Sequence, residues 1–255
     1  MEELIRLNKF LSDSGICSRR EADRLIEAGK INVDGTAAVI GQKITLSQVI
    51  TYKGKHIMNS SPLVLIAVNK PRGIVCTTAK EEKDNIVDFV SYNERIYPIG
   101  RLDKDSEGLI LMTNKGEIVN KILRAGNTHD KEYVVKVNKN ITKDFISEMS
   151  KGVPILDTIT RPCIVEKISE KELKIILTQG LNRQIRRMCE CLGYKVLSLK
   201  RIRIMNISLG NLKIGTYRKL SGGEISELIE LTSTSSNLSY KDTEKVKNHA
   251  KNRKN

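Results

Sequence analysis

Apolar positions along the chain fall into two rhythms, helical spacing in some stretches and short unbroken runs between turn residues in others. Leu4, Leu7, Phe10 and Leu11 recur at helical spacing and Gly15 follows as a stop, which predicts a helix over residues 4–14. Ser18 and Glu21 stand at capping-box spacing and open a second helix, with Ala22, Leu25 and Ile26 inward and Gly29 ending it. Asp34-Gly35 is a hairpin-turn signal between two short strands. The polar run Asn59-Ser60-Ser61-Pro62 then reads as a linker. Few apolar anchors precede it, so residues 1–60 form a small unit and residues 61–232 a larger one.

In the larger unit Leu63 to Val68 reads as a buried strand, broken by Lys70-Pro71-Arg72-Gly73. Gly108 to Thr113 is apolar and continuous, the pattern of a strand covered on both faces. Asn114 is placed to cap a helix carrying Ile118, Val119, Ile122 and Leu123, with Gly126 as its stop. Glu132 to Val137 predicts a strand, and Phe145, Ile146 and Met149 a helix ended at Gly152. Cys163 to Ile168 and Leu173 to Leu177 predict a hairpin. Ile185, Met188, Cys189 and Leu192 form one stripe of a helix over residues 182–192; Arg183 and Arg187 fall roughly opposite it and Arg186 on its flank. Leu220 to Glu224 caps a last helix reaching about Leu231. Strands and helices mix without strict alternation, so the expected class is α+β: a mixed, largely antiparallel sheet with flanking helices, preceded by a small helical domain.

Charge changes this picture most. The chain carries a net +14, which calls for a polyanionic partner. From Arg183 to Arg218 nine basic residues face a single acid, Glu190, so +8 of that excess sits in one segment. Residues 233–255 are polar and basic and read as a disordered tail with diffuse affinity for polyanions. Arg6, Lys9, Arg19, Arg20 and Arg24 sit on or beside the first two helices. That face is either an ordinary solvated surface or a binding one.

Hydrophobic residues make up 39% of the chain, enough for a packed core, yet no stretch approaches the roughly 18 consecutive apolar residues of a membrane span. The start, Met1-Glu2-Glu3-Leu4, lacks a signal-peptide core. Cys17, Cys76, Cys163, Cys189 and Cys191 are odd in number and match no zinc spacing, so they are expected as free thiols in a reducing cytoplasm. His56, His129 and His249 are isolated, and no Gly-rich loop leads into a helix as nucleotide sites require. Neither metal nor cofactor is expected, and a monomer is.

The candidate chemistry lies in residues 98–114. Asp103 stands in a loop bounded by Gly100 and Gly108, directly before the continuous apolar strand. Such an Asp is either turn chemistry or a carboxylate held on a rigid support for catalysis. Lys70 and Arg72 are either phosphate contacts or solvated charges of a Pro-Gly turn. Tyr133 is, by pattern, an aromatic strand residue in the core. Arg186, half buried beside apolar groups, needs an anionic partner, and Asp103 is the candidate.

Gly100-Arg101-Leu102-Asp103 followed by Ser106-Glu107-Gly108-Leu109 resembles the signature loop of RsuA-type pseudouridine synthases. Asn69-Lys70-Pro71-Arg72-Gly73, Lys131-Glu132-Tyr133 and Gly180-Leu181-Asn182-Arg183-Gln184-Ile185-Arg186-Arg187-Met188 match further motifs in the family's order, and the branch they fit best acts on 23S ribosomal RNA. The first sixty residues resemble the small RNA-binding domain named after ribosomal protein S-four, through Cys17-Ser18-Arg19-Arg20-Glu21-Ala22 between the two helices. The resemblance implies isomerisation of uridine without a cofactor, Asp103 as the essential carboxylate, and an arginine paired with it, here Arg186. It also implies Tyr133 stacked on a flipped-out base; Arg101, next to Asp103, is the candidate to fill the vacated stack or hold a phosphate. RNA contacts are then expected from Lys70, Arg183, Arg187 and the basic residues of the first two helices. Two other readings compete: an RNA-binding assembly factor without catalysis, and an RNA methyltransferase, which would need the Gly-rich cofactor loop that the sequence lacks.

Overall fold

The computed structural model describes residues 4–58, 62–123 and 129–233. The first three residues of the expected linker Asn59-Ser60-Ser61-Pro62, the helix stop at Gly126 and the basic tail beyond residue 233 lie outside the described residues. The chain divides into two compact units: one runs up to Val64 and takes in residues 93–95 and 114–116, and the other comprises the rest from Leu65 on.

In the first unit, strand β1 (Ile5–Arg6) leads into helix α1 (Leu7–Asp13), and α2 (Arg19–Glu27) follows. Helix α1 therefore starts later than its apolar spacing suggests. Ile5 and Arg6 are extended and pair with Ile44 and Lys43, which leaves Leu4 outside the core at 60% exposure. At the start of α2, Ser18 Oγ accepts the Glu21 backbone N–H at 3.2 Å, while the Glu21 carboxylate accepts Arg24 Nη1 at 3.3 Å. Strands β2 (Ile31–Val33) and β3 (Thr36–Ala37) form the expected hairpin. Its turn needs two left-handed residues, and Asp34 and Gly35 have φ of +49° and +82°. Strand β4 (Lys43–Ile44) pairs with β1, while β5 (Ile50–Tyr52) and β6 (Lys55–His56) complete a sheet ordered β3-β2-β5-β6. Leu7, Phe10, Leu11, Ala22, Ile26 and Ile31 are core residues of this unit.

The second unit is built on a nine-stranded sheet. In chain order its elements are β7 (Leu65–Lys70), α3 (Ile86–Val90), β8 (Tyr97–Ile99), β9 (Glu107–Thr113), α4 (Gly116–Leu123), β10 (Lys131–Val137), α5 (Lys143–Lys151), β11 (Pro154–Ile155), β12 (Thr158–Ile159), β13 (Ile164–Lys167), β14 (Glu172–Leu177), α6 (Gln184–Cys191), β15 (Val196–Ile204), β16 (Ile207–Ser208), β17 (Tyr217–Lys219) and α7 (Gly222–Ser233). The main order is β13-β14-β10-β15-β9-β7-β17, with β8 added to β9 and β16 to β15; β11 and β12 pair separately. Among the described strands of this sheet the pairings are antiparallel except that of β9 with β15. The fold is the expected α+β class with a mixed, mostly antiparallel sheet. Residues of β7 and β9 pack with Ile122 of α4 and Leu228 of α7 in one cluster.

Three local expectations are corrected. Asn114 does not cap α4; its Oδ1 accepts the Val64 N–H at 2.9 Å and its Nδ2 donates to Pro62 O at 2.8 Å. Helix α6 begins only at Gln184, because Arg183 is left-handed at φ +50°. Arg183 therefore leaves the helical wheel on which it was expected to point away from the apolar stripe. Lys70 ends β7 rather than breaking it, and it is fully buried. At the last helix Ser221 and Glu224 cap each other reciprocally: Ser221 N–H donates to Glu224 Oε2 at 2.8 Å, and Glu224 N–H to Ser221 Oγ at 3.2 Å.

Candidate active site

Asp103 stands in the loop between β8 and β9, and every residue of that loop from Arg101 to Ser106 is held. Arg101 O accepts Arg201 Nη1 at 3.4 Å, and Leu102 N–H donates to Cys76 Sγ at 3.4 Å. Asp103 O accepts the Ser106 N–H at 3.0 Å, and Lys104 O accepts the Gly73 N–H at 2.8 Å. Arg186 Nη2 donates to Asp105 O at 3.2 Å and to Ser106 Oγ at 3.1 Å. Ser106 is fully buried, whereas the Asp103 side chain keeps 32% of its surface open. The backbone is fixed while the carboxylate stays accessible, which is the preorganisation catalysis requires.

Two guanidiniums face that carboxylate. Arg186 Nε lies 3.8 Å and Arg183 Nη1 3.9 Å from Asp103 Oδ2. Arg183 also reaches Asp105 Oδ2 at 3.7 Å. Arg186 is 8% exposed, and its Nε has no hydrogen-bond partner. Burial lowers the Arg186 pKa first and the neighbouring Arg183 charge lowers it further, against the opposing pull of Asp103. The expected partnership of Arg186 with Asp103 is present as an ion pair, and the left-handed Arg183 joins it.

The remaining sequence-selected residues separate into supports and surface groups. Lys70 is not on the surface, as a phosphate contact or solvated charge would be: it is buried and its Nζ donates to Pro71 O and Ile74 O, both at 2.8 Å, closing the Pro-Gly turn that docks on the loop through Gly73. Arg72 pairs with Glu107 at 3.6 Å. Tyr133 lies on the buried side of β10 at 8% exposure, with the Arg201 guanidinium 6.0 Å from its ring centroid. Beside it Lys131 donates to His129 O at 2.9 Å; burial, and then the Arg201 charge, push its pKa down to about 8. Arg101 is exposed, and Arg187 is bonded to Asn182 O at 3.1 Å and to Asn182 Oδ1 at 3.3 Å. Within the first unit Arg6, Arg19, Arg20 and Arg24 are exposed, and Lys9 lies 3.5 Å from Asp13.

Sequence reasoning passed over Arg201, Cys76, Ser106 and Gly73 as supports of the loop. Arg201 carried a usable signal, a cation two positions from Leu199 on the same phase of a strand. Cys76 carried none. Among the described residues no group of three or more His, Cys, Asp or Glu side chains could hold a metal ion, and no helix is long and apolar enough to cross a membrane.

Comparison with known proteins fits this arrangement. Residues 64–191 match the family model described as RNA pseudouridylate synthase, and residues 5–50 match that of the S4 domain. The chain belongs to the RNA pseudouridylate synthase family and is an isomerase that acts on RNA. More particularly, it is 55% identical over 234 residues to the dual-specificity RNA pseudouridine synthase RluF of Escherichia coli strain K12, covering 91% of this chain and 81% of that one. It is 34% identical to ribosomal large subunit pseudouridine synthase B of Bacillus subtilis, over 88% of this chain and 95% of the relative. A solved pseudouridylate synthase superposes with a TM-score of 0.65 at 25% identity, over 88% of this chain and 99% of that one.

Proposed function

We propose that this protein isomerises uridine to pseudouridine in ribosomal RNA, specifically 23S ribosomal RNA, with Asp103 as the reacting carboxylate. The observation that carries the reading is the fully tethered loop around Asp103, whose side chain remains open beside two guanidiniums. The relatives' names support the substrate: one acts as a ribosomal large subunit pseudouridine synthase and another as a dual-specificity RNA pseudouridine synthase.

In the reaction the bond from the sugar C1′ to uracil N1 breaks, the base turns, and a bond from C1′ to C5 forms. The proton on C5 leaves and N1 gains one, so product and substrate have the same atoms and the stoichiometry calls for no cofactor. Asp103 serves as nucleophile or base at the glycosidic centre. Arg186 and Arg183 set two positive charges beside it, at 3.8 and 3.9 Å. The target bond is shielded by base stacking, so the nucleotide is flipped out. Tyr133 supplies the stacking surface, a contact worth about 1–3 kcal/mol per base. Arg101, Arg183 and Arg187 contact the RNA around the site. The first unit, with Arg6, Lys9, Arg19, Arg20 and Arg24, grips structured RNA.

The test is to incubate the purified chain alone with unmodified total RNA and map pseudouridine chemically; total RNA is used because one relative is named dual-specificity. New pseudouridine in 23S RNA is the expected result. Binding without any modification would refute the reading. Tyr133→Phe should keep activity and Tyr133→Ala should lose it, and equal activities would remove the stacking role.

A further inference from the structure

We infer that Arg201 is a positioning residue of the active site: one buried guanidinium that fixes the Asp103 loop and Tyr133 relative to each other. The inference rests on the roles proposed above for those two residues.

Placement comes first. Strand β15 lies between β10 and β9, and Arg201 is the register partner of Tyr133 on one side and of Gly108 on the other. The β10–β15 register shifts between Glu132 and Tyr133: Glu132 faces Arg203 while Tyr133 faces Arg201, so Ile202 is an extra residue. A bulge of this kind re-aims the side chains beside it.

Contacts come next. Arg201 Nε donates to Leu109 O in β9 at 2.7 Å, and Nη1 donates to Arg101 O, two residues before Asp103, at 3.4 Å. Its guanidinium stands 6.0 Å from the Tyr133 ring centroid. Arg186 holds the far side of the same loop at Asp105 and Ser106. The two arginines thus bracket Asp103, and Arg201 also stands against the tyrosine.

Energetics argue that this arrangement is not there for stability. Arg201 is 4% exposed, has no ion pair among the described residues, and leaves Nη2 buried without a hydrogen bond. Two buried lysines, Lys70 and Lys131, lie close enough to feel its charge. A buried cation facing carbonyls and like charges is costly, and an apolar side chain of similar volume would suit this strand better. Local rules broken at a cost mark functional sites.

The experiment uses the full chain with Arg201→Met and Arg201→Lys. It measures single-turnover pseudouridine formation at saturating RNA, RNA affinity and the thermal midpoint. Arg201→Met should slow turnover roughly 10- to 100-fold through misplacement of the loop, with affinity and midpoint close to wild type. Combined with Tyr133→Ala, its effect should be less than additive. If Arg201→Met also lowers the midpoint, Arg201→Lys decides: it keeps the charge but not the fork, so a slowed rate at a native midpoint supports the inference and a wild-type rate overturns it. Wild-type turnover in Arg201→Met, with Asp103→Asn inactive, would overturn the role of Arg201 alone. An active Asp103→Asn would instead overturn the reading on which it rests.

Discussion

Arg186 and Asp103 stand 3.8 Å apart, and the hydrogen bonds of Arg186 go not to that carboxylate but to Asp105 O and Ser106 Oγ. Arg186 therefore acts on Asp103 twice, as a charge and as a clamp on the next turn of chain. Arg186→Met should lower stability by about 2–4 kcal/mol, read by denaturant unfolding, because it removes a buried cation's bonds to Asp105 O and Ser106 Oγ and one of the two charges facing Asp103. An unchanged midpoint would mean that the clamp is idle. At this scale the sequence was informative where side-chain phase decides burial: Arg186 fell on the flank of an apolar stripe. It misled where backbone geometry decides. Arg183 was placed by a helical wheel that its left-handed φ of +50° removes it from, and that twist aims it at Asp103. Lys70 reads from the sequence as either a phosphate contact or a solvated turn charge, but the turn folds over its own lysine.

The strand β9 links the loop to the sheet, and Gly108 is where it meets β15. With φ at +105°, a Cβ there would lie 2.3 Å from Arg201 O, inside the backbone of the neighbouring strand. Gly108→Ala should cost more than about 3 kcal/mol, seen as a lost or strongly lowered thermal transition. Wild-type stability would contradict the parallel approach of β9 to β15. Helix α7 offers a separate test. Glu224 accepts both guanidinium nitrogens of Arg218, at 2.8 and 2.7 Å, and that pairing lowers its pKa to about 2. A depressed carboxyl pKa adds stability above the ordinary glutamate range and loses it as pH falls from about 4 towards 2. Glu224→Gln should therefore cost about 1–2 kcal/mol at neutral pH, after allowance for solvent screening of a partly exposed pair. The difference from wild type should close near pH 2. Caps and apolar runs made these elements legible: Ser18, Ser221 and the unbroken run from Gly108 to Thr113 all lie where their local chemistry placed them. The late start of α1 was not legible, because Ile5 and Arg6 pair with residues nearly forty positions away.

For the whole molecule, the net charge of +14 makes RNA affinity a salt-dependent quantity, carried by the exposed cations, since Arg186 and Arg201 are buried and Arg218 is paired with Glu224. If about six phosphates are neutralised, log affinity should fall against log salt with a slope of about −4, a loss of several hundredfold between roughly 50 and 200 mM. A flat profile would rule out the basic surface as the platform. The α+β class followed from the mixture of strands and helices, but the parallel join of β9 and β15 within the mostly antiparallel sheet did not. That join brings together residues more than ninety positions apart, and neither strand's own pattern records its partner. It is nevertheless what sets Arg201 beside the loop.

The most direct measurement is single-turnover pseudouridine formation by Asp103→Asn on a 23S RNA substrate, with RNA affinity measured in parallel. The substitution keeps size and neighbours but removes the charge, so affinity should stay within a few-fold of wild type while pseudouridine formation disappears. Formation at a rate near that of the unaltered chain would contradict the assignment of Asp103.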